Sequence, residues 1–190
     1  MRAGAQSVAL TDVNSSAACL EFLRQSREFD VHPVVGIDFK IKAQTKYVAL
    51  ARNNDGFREI NKHLSQQLMH GEEVLDEAPS FSNAYIIYPF SNAPKRRLKE
   101  NEFIGTRPTE LMRLQLSDWV NQKEKLVVLQ PMTFRSKYDF NTHRLLRSID
   151  QNCLLSKLSP DQQTTEKDAF WSCDMLREAF AGFPHILQNT

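Results

Sequence analysis

AQSVALTDVNSSAACLEFLRQSREFDVHPVVGIDFKIK, residues 5–42, decides the fold. Val8, Ala9 and Leu10 read as a short apolar strand, followed by a polar turn at Thr11-Asp12-Val13-Asn14. A helix comes next, which Ser15 or Ser16 can cap through its hydroxyl, with Ala18, Leu20, Phe22 and Leu23 on its buried side. A second strand runs from about Val34 to Ile41. Two strands joined by one helix in about thirty residues make a βαβ unit. Ligands in such folds bind at the carboxyl ends of the strands. Those ends hold Thr11-Asp12 and Gly36-Ile37-Asp38, so both carboxylates fall at the functional rim.

Outward from this unit, Lys46 to Ala51 reads as a third strand and Asn53-Asn54-Asp55-Gly56 as a turn. The following helix places Phe57, Ile60, Leu64 and Leu68 on one face by 3-4-4 spacing. Gly71 to Asn83 is acidic and loop-like. Ala84 to Tyr88 is a fourth strand stopped by Pro89, Glu102 to Thr106 is a candidate short fifth, and Leu126 to Leu129 is a sixth, ending at Gln130-Pro131. Pro108 suits the first turn of a helix that buries Leu111, Leu116, Trp119 and Val120. Tyr138 to Ile149 reads as helix with Phe140, Leu145, Leu146 and Ile149 inward. Ser159 to Asp168 is a polar linker. A last helix from about Ser172 buries Met175, Leu176, Ala179 and Phe180, and Gly182 with Pro184 breaks it. Met1 to Ala5 resembles the tail of a helix, with Gly4 as its left-handed stop. Strands alternating with helices predict an α/β fold with a mainly parallel sheet.

Composition narrows the function. The 190 residues suffice for one domain with a real core, and 41% apolar with 25% charged residues is ordinary for a globular chain. A net charge of +1 advertises neither nucleic acid nor membrane. No apolar run approaches the roughly 20 residues of a membrane span, and no signal peptide opens the sequence. Cys19, Cys153 and Cys173 are odd in number and scattered, which predicts reduced thiols in a cytoplasm rather than a disulfide framework.

The words ALTDVN, HPVVGIDFKI, YVALARNNDGFREINK and FPHILQNT, in that order, resemble the PHP (polymerase and histidinol phosphatase) domain that opens the alpha subunit of bacterial DNA polymerase III. The resemblance is loosest from about Met69 to Ser117. It implies a single domain over residues 1–190, part of a larger polymerase subunit, folded as a PHP-type distorted (β/α)7 barrel that lacks its first strand and helix. Active members of that family resemble one another in a three-metal cluster, held by histidines and carboxylates at the strand ends, that hydrolyses phosphate esters. Carried over by position, Thr11 and Asp12 match the family's Thr-Asp-His motif, but Val13 stands where its histidine would be. Asp38 stands for a glutamate, Lys46 or Tyr47 for a histidine, and Met132 and Phe134 for a late Asp-x-His pair. Valine, methionine and phenylalanine cannot ligate a hard divalent cation. The resemblance therefore implies a degenerate metal site at Asp12, Val13, Asp38, Met132 and Phe134, with no cofactor, or at most zinc or manganese at a residual site.

No independent motif restores chemistry. His63 and His70 lie seven apart on one predicted helix, about 10 Å along its axis, too far to share one metal, and both read as surface residues. His32 sits at a strand entrance, His143 reads as a packing or hydrogen-bonding residue, and His185 as exposed. Cys19 lies inside an amphipathic helix, where a thiol is inert. The sequence has no Gly-x-Ser-x-Gly, no His-Glu-x-x-His and no glycine-rich phosphate loop. Lys95, Arg96, Arg97 and Lys99 put four cations in five residues. They suit a phosphate backbone or an acidic partner, or else a solvated loop partly neutralised by Glu100 and Glu102.

Three readings follow. In the first, a metal-depleted PHP domain packs against the remainder of the alpha subunit, docks a proofreading exonuclease subunit and meets DNA only through the parent protein, a DNA-directed polymerase. In the second, Asp12 and Asp38 serve a metal-dependent phosphoesterase or a 3′-5′ exonuclease. In the third, the basic run contacts nucleic acid. Polymerase activity has no paired palm carboxylates here.

Overall fold

The computed structural model describes residues 5–190; the expected helix stop at Met1–Gly4 lies outside the described residues. β1 (Ser7–Val13), α1 (Cys19–Ser26) and β2 (His32–Ile41) form the expected βαβ unit, with β1 and β2 parallel. The first strand runs three residues past Leu10, so Thr11-Asp12-Val13 is strand and not turn. Asn14 makes the turn at φ 47, a left-handed conformation that asparagine tolerates. Its amide locks the corner by donating to the Lys40 carbonyl at 2.8 Å and accepting from the Lys40 N–H at 2.9 Å. No hydroxyl caps α1; Ser15 accepts from the Ala17 N–H instead. The inward stripe is Cys19, Phe22, Leu23 and Ser26, whereas Ala18 and Leu20 are exposed. In an eight-residue helix the first turn sets that phase, and it starts two or three residues later than a Ser16 or Ser15 cap would place it.

Six strands form one curled sheet in sequence order, a half-barrel. β3 (Gln44–Ala51) is antiparallel to β2 and to β4 (Ala84–Pro89), while β5 (Glu102–Thr106) and β6 (Leu126–Val128) continue parallel to β4. The sheet is therefore mainly parallel, as expected, with β3 alone running against the other five strands. Only Lys42 and Ala43 separate β2 from β3, too few for a crossover, and Lys42 turns the hairpin at φ 53. Asn53-Asn54-Asp55-Gly56 is the start of α2 (Asn54–His70) rather than a free turn, because the Asn53 side chain accepts from the Gly56 N–H at 2.9 Å. Gly56 lets the helix touch the end of its return loop: a Cβ there would lie 1.9 Å from the Asn83 carbonyl oxygen. Residues 71–83 carry the chain back along α2 to β4.

The core lies on the helix side of the sheet. Ile37, Phe39, Tyr47, Ala49, Ile86, Tyr88, Ile104 and Leu126 pack there with Ile60 and Leu64 of α2. Gln67 completes the buried stripe of α2, and Leu68, expected inside, is exposed. Glu102 is fully buried on the same side and takes Arg96 by two bonds of 2.6 and 2.8 Å, with a third from the Lys99 N–H at 2.7 Å.

Several helix faces depart from expectation. A turn at Pro108–Glu110 leads into α3 (Leu111–Gln115), which buries Leu114 and leaves Leu116 exposed. α4 (Lys137–Asp150) buries Phe140 and Ser148 but exposes Leu145, Leu146 and Ile149. α5 (Cys173–Ala179) is capped by Ser172 and leads to the buried Phe180; Leu176 and Ala179 pack against the core and Met175 is exposed. A further helix, α6 (Pro184–Gln188), buries Ile186 against the core. No helix of the described residues is long and apolar enough to cross a membrane.

His63 and His185 are more enclosed than expected, and His143 makes the hydrogen bond expected of it. His63 stands 3.1 Å from the Tyr47 hydroxyl, between the rings of Phe39 and Phe81. His143 accepts from the Thr164 N–H at 3.3 Å, and His185 is half-buried rather than exposed. Burial holds His63 and His143 below the ordinary imidazole value, so the fold accommodates their neutral forms. That contribution is full above about pH 6.5, the unfolded value, and is lost as pH falls through the depressed folded values. Urea unfolding should therefore show a lower midpoint at pH 5.5 than at pH 7.5, with a smaller fall in His63→Phe. An identical fall in that variant would place the effect elsewhere.

Candidate functional site at the strand ends

Asp38 and Asp12 both sit near the carboxyl end of β1 and its neighbour, but they do not converge. Val13 is level with Asp38, and Asp12 is level with the core residue Ile37. Residues paired across a sheet share a face and successive residues alternate. Val13 therefore stands on the face of Asp38, opposite the helix-packed core, while Asp12 is turned toward α1. There an Asp12 carboxylate oxygen lies 3.4 Å from the Ala18 N–H. Burial, and after it the Asp12 charge, push the fully buried Cys19 thiol up.

Asp38 is 6% exposed. One of its oxygens, Oδ2, accepts from Lys40 Nζ at 3.0 Å and from Thr45 Oγ1 at 3.3 Å. The other, Oδ1, is buried and has no donor among the described residues. Burial raises the Asp38 carboxyl above the usual carboxylate value, against the pull of Lys40, Thr45 and the more distant Arg107. Lys40 reaches the carboxylate because two residues along a strand return to the same face.

Arg107 follows the last residue of β5 and brings a second cation to this end of the sheet. Its guanidinium meets Asp168 Oδ1 at 2.8 Å. The expected linker at 159–168 is thus a structured segment closed by a buried carboxylate. Asp168 Oδ2 accepts from Thr164 Oγ1 at 2.6 Å and from the Thr165 N–H and hydroxyl, both at 3.2 Å. Burial pushes the Asp168 carboxyl up, but Thr164, Arg107 and the Thr165 amide outweigh it and hold the group below its usual value. The Thr133 N–H donates to the Asp168 carbonyl at 2.7 Å, which fixes the chain after β6 to the same segment.

The remaining expected positions lie apart from Asp38. Lys46 is the extra residue of a bulge opposite Phe39 and Lys40, and pairs with Asp76 at 2.6 Å. Tyr47 stacks on Phe39 inside the core. Met132 is half-exposed, and Phe134 is buried beside Ala169 with its ring centroid 5.0 Å from that of Phe140. The basic run is divided: Arg96 is committed to Glu102 and Glu77, and Lys99 to Ser80 at 2.7 Å, while Lys95 and Arg97 face solvent.

Chemically, the strand-end centre consists of two carboxylates, each held by a cation of the chain itself. Its donor set does not fit a cluster of divalent ions. The ammonium of Lys40 already holds Asp38 Oδ2, and the guanidinium of Arg107 holds Asp168 Oδ1. Among the described residues no three His, Cys, Asp or Glu side chains come together as a metal site.

A PHP domain is found at residues 1–92. No curated protein matches the chain. The PHP match spans β1 to β4 and ends just beyond β4, so it includes Asp12, Val13, Asp38 and Lys40. Arg107, Met132, Phe134 and Asp168 lie outside it. The curled mixed sheet is compatible with part of a PHP-type barrel.

Lys40, Thr45, Arg107 and Asp168 were not expected from the sequence. Lys40 was accessible through its two-residue spacing from Asp38, whereas Arg107 and Asp168 are 61 residues apart and carry no local signal. Removing the guanidinium leaves Asp168 buried without its cation. Arg107→Ala should therefore lower the unfolding free energy by about 1–3 kcal/mol, the upper range for a buried pair being reduced by the partial exposure of Arg107. Arg107→Lys should recover part of the loss. Equal stability of wild type and Arg107→Ala in urea unfolding would remove this pair from the account.

Proposed function

We propose that the chain is a metal-depleted PHP domain of a bacterial DNA polymerase III alpha subunit, acting in DNA replication as a structural and interaction module in the cytoplasm. The carrying observation is the state of Asp38: its Oδ2 oxygen is held by Lys40 and Thr45, and the level neighbour on its face is Val13. A divalent ion placed there would face an ammonium at close range and would find a methyl-bearing side chain in place of a ligand.

The packed core supports a scaffold role, because the helix side of the sheet is filled with apolar side chains. The exposed Leu145, Leu146 and Ile149 of α4 offer apolar area for contact with the polymerase body. In this reading the partners are the remainder of the alpha subunit and a proofreading exonuclease subunit, and DNA is met through the parent protein. Lys95 and Arg97 remain free for a phosphate or acidic contact.

Elemental analysis of the purified chain after dialysis against zinc and manganese tests the proposal. The expected result is metal far below one ion per chain. One or more tightly held ions would instead support a metal-dependent phosphoesterase or 3′-5′ exonuclease, with Asp12→Ala and Asp38→Ala as the variants to assay.

A further inference from the structure

On the half of the sheet away from β1, the face opposite the core carries a row of aromatic and basic side chains. Tyr85 is level with Leu50, and Arg52 lies two residues along from Leu50, so both share that face. Phe103 is level with Ile87, two residues along from Tyr85, and joins them. The two rings pack edge to face with centroids 5.8 Å apart. The Arg52 guanidinium stands 5.0 Å from the Tyr85 centroid, and Lys125 Nζ stands 5.2 Å from that of Phe103. The order across the strands is thus cation, ring, ring, cation. Tyr85 is 41% exposed. The core does not require it, because Ala84, Ile86 and Tyr88 take the core side of β4. Arg52 is exposed, and its side chain has no carboxylate or hydrogen-bond partner among the described residues. The one carboxylate within β3 to β6, Glu102, faces the core.

We infer that this face binds single-stranded nucleic acid, with one base stacked on Tyr85 and the adjoining phosphates held by Arg52 and Lys125. This inference does not rest on the polymerase reading. A single strand offers planar bases on an anionic backbone, and an aromatic face set between cations meets both properties. The guanidinium over Tyr85 holds no anion, so a base can take its place on the ring while Arg52 turns to a phosphate. Phe103 buttresses the Tyr85 ring from the side. Lys125 is fixed by donating to the Lys99 and Glu100 carbonyls at 2.8 Å each, which leaves one of its three ammonium protons for a phosphate. Beyond Lys125, Arg97 shares a cleft with Glu100 and Glu124, whose charges confine the attraction to the ring side of Lys125. In a duplex the base faces are stacked within the helix, out of reach of Tyr85. Arg52, Tyr85, Phe103 and Lys125 converge only through strand pairing, so no local stretch of sequence shows the alternation of basic and aromatic residues.

Fluorescence anisotropy of a labelled oligothymidine titrated with the full chain at low salt tests this, with circular dichroism to establish that each variant folds. The oligonucleotide should bind. The logarithm of its binding constant should fall against that of salt with a slope of about −1.4, from two phosphates at about −0.7 each. Tyr85→Ala should weaken binding about tenfold and leave the slope unchanged, whereas Tyr85→Phe keeps a ring and should bind as the wild type does. Arg52→Gln should make the slope shallower by about 0.7. A duplex of the same length should bind more weakly than the single strand. Failure to bind at low salt overturns the inference, and so does an unaltered slope in Arg52→Gln. Equal binding by Tyr85→Ala and wild type, or by duplex and single strand, also overturns it, because either marks plain attraction of charge.

Discussion

Placing a carboxylate inside a sheet is costly unless a partner compensates it, and the strand-end centre is organised by that constraint. Asp38 lies midway along β2, between β1 and β3, where water has little access. The chain meets the requirement locally. Lys40 returns to the same face two residues on, and Thr45 arrives from the neighbouring strand through a two-residue hairpin. Asn14 clamps the Lys40 backbone and so fixes the stem from which the ammonium reaches back. The turn after β1, the hairpin and the bulge at Lys46 thus act on one carboxylate.

The same solution recurs where the C-terminal half joins the sheet. Asp168 is enclosed by Thr164, Thr165 and Arg107, and its carbonyl holds the segment that follows β6. Glu102, buried under the core, is held by Arg96 and the Lys99 amide. Each of these buried carboxylates is matched by one cation, Lys40 from β2 itself, Arg107 from just after β5 and Arg96 from the loop before β5. Cations used in this way are no longer free for an external anion, which is why a run of four basic residues leaves only part of its charge to solvent. The PHP match covers the Asp38 side of the strand-end centre, while Arg107 and Asp168 come from chain beyond it. One ion pair, Lys40 with Asp38, thus lies within the matched portion, and the other, Arg107 with Asp168, lies beyond it.

Strand positions were legible because each apolar run is short and bounded by turn residues. Glu102 to Thr106 and Lys46 to Ala51 fall on observed strands. Strand direction was less legible: alternation with helices suggested crossovers, yet the two residues between Ile41 and Gln44 permit only a hairpin. Helix faces failed where helices are short or lie at the periphery, as at Leu20, Leu116 and Leu145, because a few turns of apolar residues do not define which side meets the core. Leu68 failed for a different reason, since α2 buries Gln67 near its end instead. At the site, the facing of Asp12 and Val13 turned on where β1 ends. Ending β1 at Leu10 leaves both in a turn, whereas extending it to Val13 makes the pleat put them on opposite sides. Arg107 with Asp168 depends on tertiary closure and has no trace in either local sequence.

The central claim is that Asp38 is held by the chain's own cations and not by metal ions. The most direct measurement is a pH titration of the Asp38 side-chain carboxyl carbon by NMR, with and without added zinc. The account predicts a titration above the usual carboxylate value, shifted further upward in Lys40→Met and unaffected by zinc in the wild type. A resonance that moves on zinc addition, or a carboxyl that stays ionised well below the usual value until the metal is removed, would contradict it.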